Sequence, residues 1–521
     1  MKARETKSVY EPPASWGRGW WLTRPRHWWS RSRSPERGRL EFAAVAAATA
    51  LALVLGFVRI GSQSMWLDET LSVRTARLPL PDFFNALHGF DSNMAGYYVL
   101  LRGWLVFGDS ETAVRALSAI LGAAVVPLLY LLGRQLCGRR AGVVAGLLWA
   151  VNPFALRYAQ ETRAYSLLAL MSCLATLLFL HALHRGTVRS WLLYGVVAGL
   201  ATYAHFFALF VVLTHLAYLL AVHRPLPPPR AVLTGFGAMA LLIVPRVPGA
   251  IRGGAFKAIA WIPVPYLTAP GGLIAEFFGG SVALALVALG LAAYGLWPRM
   301  TQVRATRSIR QMGLVELWAL LPPIVVFIVS QAKPLWVARY LIVILPAVLL
   351  LVAAGLARLP RRGLFYGATG LLVAGSGLMV ALWYAGSAYP KDDWRSVTAT
   401  VLSASQPSDA IVFDASHYRT PFNYYLDRDH GLVNAPYSAY PDARWRRLGA
   451  PVVSSASLPD AMRALGRAHR VWLPISQPDT DPLGEQVVRY VMAHGRIERS
   501  WSFENVKLLL VNTSRSSPSG G

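Results

Sequence analysis

Thiols and acids are both scarce in this 521-residue chain, and each scarcity bears on what the chain can be. The two cysteines, Cys137 and Cys173, lie in or beside apolar runs, so no disulfide framework, CxxC zinc site or thiol active site is indicated. Charged residues make up only 15% against 55% hydrophobic, and mean hydropathy is +0.40, which excludes a chain wrapped in a water-soluble shell. Neither GxGxxG nor GxxxxGK[ST] occurs in a strand-to-helix context, so no nucleotide fold is expected. Acids number 26 against 51 Lys and Arg, a formal charge of +25. The distribution of that charge argues against nucleic acid as a partner. Residues 1–39 hold ten basic residues and three acids, whereas the last 137 residues are nearly balanced at fifteen to thirteen. Basic tails and loops on the inner side of a bilayer orient spans and attract anionic lipid, which accounts for the excess.

What the chain does have is apolar runs of spanning length. Eleven spans are expected, near 40–60, 114–134, 141–157, 165–184, 190–206, 207–223, 231–250, 281–297, 313–330, 340–357 and 363–384. No small-residue cleavage motif clearly follows the first run, which reads as an uncleaved anchor. With the basic tail 1–39 in the cytoplasm, every inner loop carries arginine, as in Arg134/Arg139/Arg140 and Arg358/Arg361/Arg362. Eight of the ten acids between residues 40 and 384 then fall outside. The expectation is a multi-pass cell-membrane protein with a membrane domain over 40–384. Its long first outer loop, 61–113, includes an amphipathic helix (93–108) lying in the interface. Beyond it, 385–512 alternates short elements and reads as a small extracytoplasmic α/β domain: helices in "DWRSVTATVL", "TPFNYYLD" and "GEQVVRYVMAHG", strands in "DAIVFD", "RVWLPIS" and "VKLLLVN". Residues 513–521 read as a disordered tail.

Three outer clusters hold the chemistry. "GSQSMWLDETLS" places Asp68 and Glu69 beside Trp66; such acids also serve as solvated loop residues or helix caps. "RYAQETRAYSLL" gathers Arg157, Gln160, Glu161, Arg163 and Tyr165; snorkelling explains the arginines and tyrosine, but Glu161 beside hydrocarbon wants a partner. "QAKPLWVARYLIVILP" sets Lys333 and Arg339 around the start of a span, where snorkelling and ligand binding are both open for Arg339. Together these suit an anionic lipid-linked phosphate, with cations neutralising it and a carboxylate removing a hydroxyl proton. A divalent metal would be held only if Asp68 and Glu161 converge. His205 and His215 read as packing or interfacial residues. "AYPKDDWRS" (388–396), with Lys391, and "FDASHYRTPFNYYLD" (413–427), with His417 and Arg419, offer acceptor contacts, against the plainer reading of caps and surface charge.

"WLDE", "DSNMAGYYVLLRGW", "ETAVRALSAILGAAVVPLLYLLGRQL", "NPFALRYAQETRAYSLLAL" and "VARYLIVILPAVLLL" resemble, in order and placement, the membrane glycosyltransferases of the GT-C fold. Bacterial relatives of protein O-mannosyltransferases and of the aminoarabinose lipid A transferase are the most similar group. The resemblance spans about residues 60–400 and implies a GT-C-like polytopic α-helical fold. It also implies transfer of a mannose- or arabinose-like sugar, with inversion, from a polyprenyl-phosphate donor to an extracytoplasmic glycan, lipid or protein. Asp68 would be the general base with Glu69 beside it. Arg163, Arg339 and Lys333 would bind the donor phosphate. Glu161, with Asp91 and Tyr97, would support the acceptor or a metal; no cofactor is otherwise implied. Where relatives carry a His-Pro-Pro segment, this chain has "NMAGYY", with Asn93 in place of a ligating group. Two rival readings are a flippase or transporter of lipid-linked saccharide, for which the chain lacks internal repeats and mid-depth charges, and a non-catalytic scaffold.

Overall fold

A computed structural model describes residues 35–89, 92–223, 225–248, 261–301, 307–386, 390–428, 435–441, 458–466, 468–476 and 481–513. The chain forms two units, 1–44 and 45–521; the described part of the first, 35–44, is the opening of helix Pro35–Phe57. The rest of the expected basic tail, nearly all of the expected disordered tail and Asp91 lie outside the described residues.

Each of the eleven apolar segments contains helix, and the chain is a multi-pass membrane protein. Six helices are long and apolar enough to cross a membrane unaided: Gly38–Phe57, Glu111–Leu136, Tyr165–Arg185, Met312–Ser330, Tyr340–Ala357 and Arg362–Tyr384. Ala269–Phe277 and Val282–Leu296, bent by 96°, make a seventh if they act as one span. The other four expected spans are the shorter helices Arg139–Ala150, Val188–Ala204, Ala208–Ala221 and Pro229–Ile243, of 12, 17, 14 and 15 residues. A perpendicular crossing needs about 20 residues, so length and composition support six or seven crossings and do not establish eleven. Local chemistry explains one break. Within 141–157, Asn152 accepts from the Ala155 N–H and Pro153 occupies the first helical position, so a new helix starts at Pro153.

Helix Leu345–Ala357 is the centre of the bundle, buried at every position from Leu345 to Leu356, whereas most of Pro35–Phe57 and Arg362–Tyr384 is not covered by protein. It is entered through a 3₁₀ segment, Tyr340–Ile344, so Arg339 stands at its threshold. Helices Val188–Ala204 and Pro229–Ile243 meet backbone to backbone. A Cβ on Gly195 would overlap the Gly235 carbonyl, and one on Gly235 would come within 2.7 Å of the Trp191 oxygen. In lipid, where burial gives helices no reason to associate, such close approach supplies the packing. Gly195→Leu is therefore expected to force the pair apart at a cost of about 1–3 kcal/mol, read as a lower melting temperature of the detergent-solubilised protein. An unchanged melting curve would show that the contact is dispensable.

The segment 93–108 is helical over Ala95–Trp104, flanked by 3₁₀ turns. Tyr97, Tyr98 and Leu101 face inward, while Leu100, Val106 and Phe107 are exposed, so the apolar stripe of this segment is split between protein and surroundings.

The C-terminal sheet has the order β2-β1-β3-β5-β4, with β1 Ala410–Val412, β2 Tyr437–Tyr440, β3 Arg470–Ile475, β4 Arg496–Phe503 and β5 Val506–Asn512. The first three strands are parallel; β5 and β4 add antiparallel. All three expected strands and all three expected helices are found. Strands β2 and β4 and helix Leu458–Leu465 are additional.

Candidate active site

The site is organised by an arginine. Ser110 accepts from the Ala113 N–H and starts helix Glu111–Ala123, which carries Arg115 one turn in. Arg115 is buried and spends all five of its N–H donors. Nε and Nη2 bind the two oxygens of Glu69, each at 2.7 Å; Nη1 donates to the carbonyls of Ile60 (2.8 Å) and Gln63 (2.9 Å); Nη2 also donates to that of Ser64 (2.9 Å). One side chain thus fixes both the turn after the first span and the helix that follows it.

That helix, Leu67–Arg77, presents Asp68 and Glu69 in its first turn, where the positive end of the helix dipole favours carboxylates. Their environments differ sharply. Glu69 is fully buried and receives, besides Arg115, the Lys391 ammonium at 2.9 Å and the Thr162 N–H at 3.0 Å. Burial by itself pushes its carboxyl up, but Arg115 and Lys391 more than offset this and hold it at about 2. With four donors on two oxygens, Glu69 is an anchor, and its expected place as a catalytic partner of Asp68 does not fit this geometry. Asp68 keeps 21% of its side chain exposed. Its Oδ2 lies 3.5 Å from Arg339 and 3.9 Å from Arg163, distances of ion pairing and not of hydrogen bonding.

The turn 160–164 folds inward instead of snorkelling. Gln160 donates to the carbonyls of Gly56 (3.0 Å) and Val58 (2.8 Å), and Arg163 Nη1 reaches the Asp68 carbonyl and Ser72 Oγ, both at 3.3 Å. Glu161, 2% exposed, has an Oε2 without a hydrogen-bond partner among the described residues. Burial raises its pKa; Lys391, Arg157 and Arg339 oppose the rise and the Glu69 charge adds to it. Arg339 is framed by the rings of Trp261, Trp66 and Tyr340 at 5.4, 5.7 and 5.8 Å. Trp66 Nε1, Asp68 Oδ2, Arg163 Nε and Arg339 Nε are, like Glu161 Oε2, buried and without hydrogen bonds among the described residues. Unspent polar atoms in one place cost free energy unless a ligand takes them up.

The donor set fits an anion. Among the described residues no three His, Cys, Asp or Glu side chains gather as a metal requires, and Asp68 faces two guanidinium groups that would repel a cation. The metal that Asp68 and Glu161 would hold if they converged is therefore not favoured by this arrangement. Lys333 is exposed on the turn before Arg339, and none of the contacts above includes it. Tyr97 lies behind the site, its hydroxyl paired at 2.9 Å with Ser118, whose Oγ donates to the Arg163 carbonyl at 3.3 Å. Asn93 contacts His205 at 2.9 Å, and that ring packs 4.7 Å from Tyr340, so His205 backs the site. His215, stacked on Phe179 and touching Thr176 and Tyr194, is a packing residue. Trp394 is fully buried and Arg419 donates to the Pro441 carbonyl, which takes both away from ligand stacking.

One member, Arg115, went unrecognised in the sequence; it stands near the start of an apolar helix, where a charge demands a partner, and that was a usable signal. Lys391 is singled out in the sequence as an acceptor contact, but its place against Glu69 gave no signal, because that partner is 322 residues away.

This is the fold of the GT-C membrane glycosyltransferases. The family model for dolichyl-phosphate-mannose-protein mannosyltransferases matches residues 91–247. The chain is similar to ArnT from Cupriavidus metallidurans in the apo state, at 15% identity over 92% of this chain and 98% of that one, with a TM-score of 0.64. The same protein bound to undecaprenyl phosphate aligns at 15% identity over 90% and 98%, TM-score 0.58. Archaeal oligosaccharyltransferase AglB from Archaeoglobus fulgidus, in complex with an inhibitory peptide and a dolichol-phosphate, aligns at 12% over 84% and 70%, TM-score 0.53. No curated protein sequence matches the chain.

Proposed function

We propose that the chain is a glycosyltransferase that moves a mannose- or arabinose-like sugar from a polyprenyl-phosphate donor to an acceptor hydroxyl on the non-cytoplasmic side of the cell membrane. The observation that carries this reading is Asp68, about one-fifth exposed and faced by Arg163 and Arg339, each with an Nε–H that has no hydrogen bond among the described residues. Proteins of similar fold have been solved with undecaprenyl phosphate and with a dolichol-phosphate, which supports a polyprenyl phosphate as the donor carrier. In the step, the acceptor oxygen attacks the anomeric carbon while Asp68 takes its proton. The bond from that carbon to the phosphate oxygen breaks, and the electron pair leaves with polyprenyl phosphate. Arg163 and Arg339 stabilise the charge that develops there, and Glu69, through Arg115, keeps Asp68 in place. A basic tail in the cytoplasm sets the orientation, which puts this cluster and the α/β sheet on the outer face.

Binding of polyprenyl phosphate to the purified chain tests the phosphate site. Arg163→Ala and Arg339→Ala are each expected to weaken it about tenfold or more, since charge-assisted hydrogen bonds contribute about 1.5–3 kcal/mol. Unchanged binding in both variants would remove the phosphate from this cluster.

A further inference from the structure

The segment that leads into the C-terminal sheet is built into the site, and it grips the element that carries Asp68. Lys391 bonds Glu69 at 2.9 Å with its side chain only 11% exposed. Four residues on, in the helix capped by Asp393, Arg395 takes the carbonyls of Gly61 (2.9 Å), Ser62 (3.4 Å) and Gln63 (3.3 Å), and its own N–H donates to Ser64 Oγ at 3.2 Å. Arg395 also binds Glu111 at 2.8 Å, and Arg428 pairs with the other oxygen of that carboxylate. The Tyr425 hydroxyl accepts from the Met65 N–H at 2.7 Å and donates to Glu111 at 3.1 Å; the neighbouring Tyr424 hydroxyl donates to the Asp109 carbonyl at 2.6 Å.

The turn 60–65 is therefore held from two directions. Arg115 takes the carbonyls of Ile60, Gln63 and Ser64 from the membrane helices, and Arg395 takes those of Gly61, Ser62 and Gln63 from the C-terminal segment. The same duplication holds at Glu69, with Arg115 on one side and Lys391 on the other. Lys391 is moreover foremost among the cations that oppose the raised pKa of Glu161. A loose C-terminal appendage would have no use for a buried ammonium group at that place.

We propose that Lys391 is a positioning residue for sugar transfer: it fixes Glu69, and through the shared helical turn Asp68, so that the transfer site is complete only with the segment 390–395 in place. This rests on the transferase reading above. A displacement of about 1 Å in a reacting group lowers turnover by about 10², and that is the effect expected when Lys391 lets go.

The test uses the full chain reconstituted in vesicles with a polyprenyl-phosphate sugar. Lys391→Met is expected to lower kcat about 100-fold with the donor KM within about threefold. Lys391→Cys should be equally slow and recover on alkylation with 2-bromoethylamine, which rebuilds a primary amine of the same reach; a merely space-filling role would instead leave Lys391→Met, which fills similar space without the charge, close to wild type. In parallel, amide exchange over residues 61–72, followed by mass spectrometry, should quicken in Lys391→Met and in Arg395→Gln, a readout that needs no turnover. Wild-type turnover and unchanged exchange in Lys391→Met would overturn the positioning role while leaving the transferase reading intact. A wild-type chain that transfers no sugar would sink that reading instead, and the exchange data would still decide whether Lys391 and Arg395 hold the turn.

Discussion

Asp68→Asn should abolish sugar transfer, by about 10³-fold or more, and leave donor binding intact. The side chain keeps its shape, so the helix Leu67–Arg77 and its anchor Glu69 are undisturbed. What is lost is the carboxylate that pairs with both Arg163 and Arg339, and with it the acceptor for the hydroxyl proton. Removal of a general base costs about 10²–10⁴ in rate. Binding is expected to hold or tighten, because the substitution removes a negative charge from beside two arginines that must meet a phosphate. The effect is readable without knowing the acceptor. A strain deleted for the chain and complemented with Asp68→Asn should lack the missing envelope glycan and accumulate the polyprenyl-phosphate sugar, as seen by mass analysis. A flippase or a scaffold would scarcely notice the change.

Arg115→Met should produce the largest loss of stability. The variant strips two of the four donors from a buried carboxylate and leaves the carbonyls of Ile60 and Ser64 without the bonds that hold them. Removing one partner of a buried ion pair costs about 3–5 kcal/mol, enough by itself to exhaust much of a protein's margin. Arg115→Lys should rescue little, since an ammonium has three donors where five are in use. Loss of yield and of thermal stability in detergent are the measurements; a variant as stable as the parent would mean the turn is held without Arg115. The pH dependence has a definite sign. A carboxyl held at about 2 in the fold titrates below its value in the unfolded chain. Its contribution is therefore complete above the unfolded value, near 4.5, and is lost as pH falls towards about 2.

How far the sequence carried depended on the range of the interaction. Helices show in local periodicity, which is why all eleven apolar segments and six elements of the C-terminal sheet region were legible. Strand β4, "RIERSWSF", was not: it is an edge strand with most positions exposed, so it lacks the apolar alternation that marks a strand. Number of crossings was also beyond reach, because composition does not report where Asn152-Pro153 ends one helix and starts another. At the site, the acids beside Trp66 and the arginines near span ends announced themselves as charges at the edge of hydrocarbon. Which of two adjacent acids is an anchor could not be read, since that rests on Arg115 and Lys391, 46 and 322 residues away. Lys333 and Arg339 looked alike in the sequence; only Arg339 sits at the threshold of the central helix, framed by three aromatic rings.

The most direct measurement is an experimental structure of the chain with a polyprenyl phosphate bound. Phosphate oxygens within hydrogen-bond reach of Arg163 and Arg339, beside an Asp68 carboxylate open to an incoming hydroxyl, is the predicted result. A phosphate seated elsewhere, with Asp68 remote from it and from any path for the lipid tail, would contradict the account.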